Sequence, residues 1–171
     1  RWPVVLEDEA QDSVPLQEEL LGRLTETARH WIRVGDPNQS ITSTFTSADP
    51  RYLRRFLDRD DVQAIEMAVS GRCSARIMQL ANGLVTWTCD AYPVLEVRDA
   101  AFRRQRMVGT DAGAPQPNPD AADSAIALRP FELRLDELTH VARRAVRFAA
   151  SHPECTLAIL VPTNRLGFDM A

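Results

Sequence analysis

An apolar run that stops on a block of acids constrains this chain most. Pro3-Val4-Val5-Leu6 is short and β-branched, which reads as a buried strand of a parallel sheet. Glu7-Asp8-Glu9-Ala10-Gln11-Asp12 follows directly. Carboxylates at the C-terminal end of such a strand lie where open α/β sheets bind their ligands. An ordinary solvated acidic turn is the plain alternative, and the Asp8-Glu9 pair alone does not exclude it.

A second segment shifts the balance. Ile32-Arg33-Val34 is another short apolar-rich run, and Gly35-Asp36-Pro37 turns the chain sharply after it. Gln39 then falls just past a second strand end, free to point at the same crevice, and its neutral amide can both donate and accept. With Asp8 serving a metal and Glu9 orienting a water, this is the Walker B arrangement of a nucleotide hydrolase. Gln39 would meet the terminal phosphate or the attacking water.

Asp8-Glu9-Ala10-Gln11-Asp12 resembles motif II of the UvrD/Rep family of superfamily 1 DNA helicases. Gly35-Asp36-Pro37-Asn38-Gln39-Ser40-Ile41 resembles motif III, with an amphipathic segment carrying Leu16, Leu20, Leu21 and Leu24 in between. Ser70-Gly71-Arg72-Cys73-Ser74, followed by Ile77 and Leu80-Ala81-Asn82, is similar to motif IV, whose usual form is Asn-Tyr-Arg-Ser ahead of a helix ending in Ala-Asn. Leu157 to Arg165 is similar to a strand and turn further into the family's second motor domain. The motifs stand in family order. The likeness is densest over residues 3–85 and 132–168.

The resemblance implies an α/β fold with RecA-like parallel sheets. Residues 1–62 would form the C-terminal part of the first motor domain and residues 63–171 the N-terminal part of the second, with the nucleotide cleft between them. It implies ATP and Mg²⁺ as cofactors, Asp8 as the metal acid, Glu9 as the catalytic carboxylate and Gln39 as the γ-phosphate sensor. Arg72 would be an arginine finger reaching across from the second domain. Phe45, flanked by Thr44 and Thr46, is the aromatic placed to stack on a DNA base. The implied partners are single-stranded or partly duplex DNA and the remainder of the helicase chain, with 3′-to-5′ movement and a role in DNA repair. The implied setting is the bacterial cytoplasm, near the nucleoid. Two departures stand out: Gly71 replaces the aromatic that normally stacks on adenine, and the run Thr42 to Ala48 has no arginine.

Composition narrows the reading. All 20 cationic residues are arginine, so the chain holds no Gly-x-x-x-x-Gly-Lys loop to cradle phosphates. It reads as an excised fragment, inactive alone, of an enzymatic parent. The rivals are a non-enzymatic module that binds DNA or protein through a helicase-like surface, and part of a RecB-like helicase–nuclease. A net charge of −4 gives no overall basic footprint, so a nucleic-acid site must be local. Cys73, Cys89 and Cys155 have no metal-like spacing, and no apolar run reaches membrane-spanning length.

The expected elements are strand 3–7, helix 15–28, strand 31–35, short helices near 50–58, strand 62–67 and helix 73–89. A short strand at Leu95-Glu96-Val97 follows, then a proline-rich loop over 109–123. Strand 125–130, helix 134–151 and strand 156–161 make a second β–α–β unit, and a helix start closes the chain. On helix 134–151, Leu135, Leu138, Val141, Ala142, Ala145 and Phe148 line one face, with Arg143, Arg144 and Arg147 outside it.

Overall fold

The computed structural model describes residues 3–40 and 47–170, apart from the side chains of Asp123 and Met170. Phe45, Thr44 and Thr46 lie outside the described residues. The chain divides into two compact units, Arg1–Ile126 and Ala127–Ala171.

In the first unit the β-branched start of the chain forms β1, Val4–Glu7, which pairs in parallel with β2, His30–Arg33. The register sets Val4 against His30 and Glu7 against Arg33. Parallel neighbours need a crossover, and α1, Pro15–Thr25, supplies it. Pro15 opens the helix, where its missing N–H costs nothing, and Gln17 Oε1 accepts the Val14 N–H at 2.9 Å. Thr25 ends it by turning its hydroxyl back onto the Leu21 and Gly22 carbonyls, at 2.8 and 2.9 Å.

Between β1 and α1 the chain makes a 3₁₀ turn, Ala10–Asp12. α2, Arg51–Leu57, packs on that turn through Leu53, which is buried. Gly35 sits in the same contact. A Cβ on it would come within 2.5 Å of Gln11 Oε1 and 3.0 Å of the Ala10 nitrogen, so only glycine lets β2's exit pass this close.

β3, Val69–Ser70, pairs in parallel with β4, Val108–Gly109, and between them run α3, Ala75–Ala91, and α4, Leu95–Ala100. The expected strand at Leu95-Glu96-Val97 is therefore a helix, closed by Ala101 N–H to the Val97 carbonyl at 2.9 Å. The helix lies against α3 rather than pairing with a strand. In the second unit α5, Arg134–Ser151, matches the expected helix, and α6, Asn164–Met170, matches the helix start. The segments 62–67, 125–130 and 156–161 are not strands. Extended backbone becomes sheet only with a neighbour to take its N–H and C=O groups, and these segments pair with none among the described residues. Among the described residues the architecture is thus α/β with two small parallel sheets, without the second β–α–β unit.

Among the described residues the buried apolar ones are few: Ala10, Ala48, Leu53 and Met78. Leu16, Leu20 and Leu24 on α1 and Leu6 on β1 face solvent, since a two-stranded sheet covers little of its own faces. No helix among the described residues is long and apolar enough to cross a membrane.

Candidate functional site

Asp8 and Glu9 follow the end of β1, and the turn from Gly35 to Gln39 follows β2, its direct parallel neighbour. Glu9 adopts a left-handed backbone, φ 52° and ψ 40°, the sole non-glycine residue with positive φ among those described. Such a conformation costs about 1–2 kcal/mol and persists only where the surroundings hold it. Here they do. Asp8 Oδ1 accepts the Glu9 N–H at 2.9 Å, and the Ala10 N–H reaches the Val34 carbonyl at 3.0 Å.

The strand ends are joined by a residue that motif reading passed over. Gln11 is 2% exposed. Its Nε2 donates to Glu9 Oε2 at 2.6 Å, and its Oε1 accepts the Asp36 N–H at 3.1 Å. Asp36 in turn accepts from the Asn38 N–H at 2.9 Å and from Gln39 Nε2 at 2.8 Å. Glu9, Gln11, Asp36 and Gln39 form one hydrogen-bonded chain across the two strand ends. Gln39 is exposed, but its amide is turned onto Asp36 rather than left free. The signal for Gln11 was its place two residues after Glu9, where an amide can bridge an acid and a backbone donor.

Beneath this chain lies a buried ionic cluster. Arg33, with 1% of its side chain exposed, sets its Nε 2.6 Å from Glu7 Oε2 and its Nη1 3.1 Å from Glu18 Oε2. Ser13 donates its hydroxyl to the same Glu7 carboxylate. The guanidinium lies over both the Trp31 and Phe56 rings, 4.8 and 5.1 Å from their centres. Glu7 and Arg33 are register partners, so the pair also ties β1 to β2.

The Gly35–Gln39 turn also grips the chain after α4. Asn38 exchanges two bonds with the Arg103 backbone, at 2.8 and 2.7 Å, and Gln105 Nε2 reaches both Asp36 oxygens at 3.0 and 3.1 Å. Arg54 donates to the Ala101 carbonyl at 3.0 Å.

Arg72 lies in the turn between β3 and α3, exposed and without a hydrogen bond or ion pair among the described residues. Arg76, one turn along, donates to the Ser124 carbonyl at 2.9 Å. The Arg72 turn is fixed from the proline-rich loop: Asn118 Nδ2 donates to the Ser70 and Cys73 carbonyls, the latter at 2.8 Å, while its Oδ1 accepts from the Thr110 N–H at 2.8 Å. A Cβ on Gly71 would meet the Gln116 carbonyl oxygen at 2.5 Å. The loop's backbone thus occupies the space that a larger residue there would need.

The donor set suits Mg²⁺, which keeps several waters and takes one or two carboxylates beside substrate phosphates. Asp8 is exposed, and its Oδ2 has no partner among the described residues. No group of three or more acids, histidines or cysteines that could cage an ion occurs among the described residues.

Residues 1–60 match the UvrD/REP helicase N-terminal domain. The ATP-dependent DNA helicase UvrD2 of Mycobacterium tuberculosis (strain ATCC 25618 / H37Rv) is 34% identical over 86 residues, covering 50% of this chain and 12% of that protein. The UvrD2 helicase of Mycobacterium bovis matches to the same extent. The RecBCD enzyme subunit RecB of Mycolicibacterium smegmatis is 27% identical over 117 residues, covering 67% of this chain and 11% of that protein. The chain spans no more than 12% of the length of these curated relatives. The UvrD/REP match takes in β1, the 3₁₀ turn, α1, β2 and the Gly35–Gln39 turn, and these likenesses support the UvrD/Rep helicase family.

Proposed function

We propose that this chain is part of an ATP-dependent DNA helicase or translocase of the UvrD/Rep type. Residues 1–62 close a first RecA-like motor domain and residues 63–171 begin a second. The observation that carries the reading is the hydrogen-bonded chain from Glu9 through Gln11 and Asp36 to Gln39, set at two parallel strand ends inside the segment that matches the helicase domain.

Each residue has a part. Glu9 orients the attacking water and accepts its proton, its carboxylate aimed by the Gln11 amide and its left-handed backbone. Asp8 offers its outward oxygen to Mg²⁺, which neutralises phosphate charge when bound. Gln39 exchanges its Asp36 partner for the terminal phosphate or the water. Because Asp36 also holds Gln105, that exchange is felt beyond residue 63. Arg72 has no hydrogen bond or ion pair among the described residues and is placed to meet negative charge on the phosphoryl group. Phe45, Thr44 and Thr46 contact single-stranded or partly duplex DNA, and the parent moves 3′ to 5′ in the bacterial cytoplasm, near the nucleoid.

The test is DNA-stimulated ATP turnover by the full-length parent. Glu9→Gln should abolish it while nucleotide still binds, and the 171-residue chain alone should show none, having no lysine for the phosphates. Undiminished turnover in the Glu9→Gln parent overturns the reading. A second reading, a RecB-like helicase–nuclease, is favoured by the longer reach of the RecB likeness along this chain. Nuclease activity of the parent separates the two.

A further inference from the structure

The second unit carries a concentration of positive charge that the nucleotide-handling residues do not use. A cavity of about 630 Å³, open to solvent, is lined by Arg129, Phe131, His140, Arg143, Arg144 and Arg147. Its size suits a small-molecule or nucleotide-sized group. His140, Arg143 or Arg144, and Arg147 follow one another at helical spacing along α5, so they share a face. Arg129 comes from the segment before the helix, with its guanidinium 5.3 Å from the Phe131 ring centre. Phe131 and the His140 ring lie 5.3 Å apart, tilted by 48°.

The charge is compensated only in part. Arg134, on the same helix, pairs with Glu137 at 2.6 Å. Arg129, Arg143, Arg144 and Arg147 have no ion pair among the described residues, and Asp136 is the one acid that lines the cavity. Four guanidinium groups around one hollow repel each other, and a bound anion relieves that repulsion. His140 responds to the same field. It is held below its ordinary value, first by desolvation and then by Arg129, Arg144 and Arg147. Guanidinium forks match phosphate oxygens, and the aromatic floor gives a nucleobase a face to stack on, which an acidic peptide would leave unused.

We infer that this arginine pocket is a binding site for single-stranded DNA, its arginines taking backbone phosphates while Phe131 and His140 receive a base. The inference rests on the proposal that the parent works on DNA, and adds a DNA contact remote in sequence from the Asp8–Gln39 segment.

The experiment measures binding of a fluorescent oligothymidylate to the 171-residue chain by anisotropy, across a series of salt concentrations. Each phosphate contact on a single strand contributes about 0.7 to the slope of log affinity against log salt. The variant Arg143→Ala/Arg144→Ala/Arg147→Ala should lower that slope by about 2 and weaken binding on the order of tenfold or more. The charge-matched control Arg23→Ala/Arg51→Ala/Arg59→Ala removes three exposed arginines that already hold acids, and should leave the slope near that of the parent chain. No binding by the unmodified chain, an equal effect of the two triple variants, or an oligoglutamate of equal charge binding as tightly would each overturn the inference. The outcome is separable from the helicase reading. A DNA-binding chain whose parent shows no DNA-stimulated turnover keeps the pocket and loses the helicase, and an active parent whose chain fails these tests does the reverse.

Discussion

Gln11 holds the backbone of Asp36. Its carboxamide oxygen takes the Asp36 N–H at 3.1 Å while its nitrogen is committed to Glu9 at 2.6 Å. One buried side chain thereby fixes both the acid that would handle water and the turn that would sense phosphate. Removing it should cost more than one hydrogen bond, because it leaves both the half-buried Asp36 N–H and the Glu9 carboxylate without this partner. Gln11→Leu should lower the stability of the 171-residue chain by about 1–3 kcal/mol. Urea denaturation followed by circular dichroism measures this, and an unchanged midpoint would mean that the two turns are held by other contacts.

Arg33 is the second point of leverage. Its charge is buried and met by Glu7 and Glu18 from two different elements. Arg33→Met leaves two carboxylates without a cation, and should destabilise the chain by about 3–5 kcal/mol. Adding Glu7→Gln and Glu18→Gln to that variant should recover much of the loss, since apolar or neutral replacements of a whole buried ionic cluster are often tolerated. The same denaturation series checks both. A single variant as stable as the parent chain, or a triple variant no better than the single, goes against a buried-charge origin.

Arg72 and Arg76 are separated by one helical turn and by what they hold. Arg76 is tied to Ser124, and Arg72 to nothing described. In the full-length parent, Arg72→Ala should cut DNA-stimulated ATP turnover on the order of 10³-fold, with nucleotide affinity changed far less. Arg76→Ala should spare turnover and cost about 1 kcal/mol through the lost bond to the Ser124 carbonyl. Turnover and nucleotide binding measured on both variants decide. A more damaging Arg76 change would move the arginine finger out of position 72.

His140 gives a pH-sensitive readout of the second unit. Arg129, Arg143, Arg144 and Arg147 face it as cations and Asp136 as the lining acid. Its lowered value means that the protonated form is disfavoured in the free chain. A bound phosphate chain adds negative charge and favours imidazolium, so the midpoint should rise when an oligonucleotide is added. NMR titration of the His140 ring protons, with and without oligothymidylate, measures the shift. A midpoint that stays put places the oligonucleotide elsewhere.

Local patterns carried the sequence reading as far as local physics reaches. β1, β2, α1, α2, α3 and α5 are written in runs and periodicities of a few residues, and they form where those runs stand. Leu95-Glu96-Val97 misled because alternation over three residues cannot tell a strand from a helix turn packed on α3. The segments at 125–130 and 156–161 have strand composition but no neighbouring strand among the described residues, and composition carries no information about a neighbour. The same divide runs through the site. Asp8, Glu9 and Gln39 are visible as residue types at strand ends. Gln11's bond to Glu9 is local, but its bond to Asp36, like those of Arg33 to Glu7 and Asn118 to Ser70, spans 25, 26 and 48 residues, which no local pattern reveals.

Asn82 shows what such long-range partners can enforce. Its amide donates to the Met107 carbonyl at 2.8 Å and accepts the Met107 N–H at 2.9 Å, doing from a helix what a neighbouring strand would do. Met107 directly precedes β4, whose pairing with β3 spans only two residues. A ladder that short has almost no memory of its own register. The amide supplies one, since a slip by a single residue would forfeit both of its bonds and turn Val108 to the opposite face. The helix thus acts as a ratchet pawl on the strand, and everything strung from it, through Asn118 to the Arg72 turn, inherits a single permitted phase.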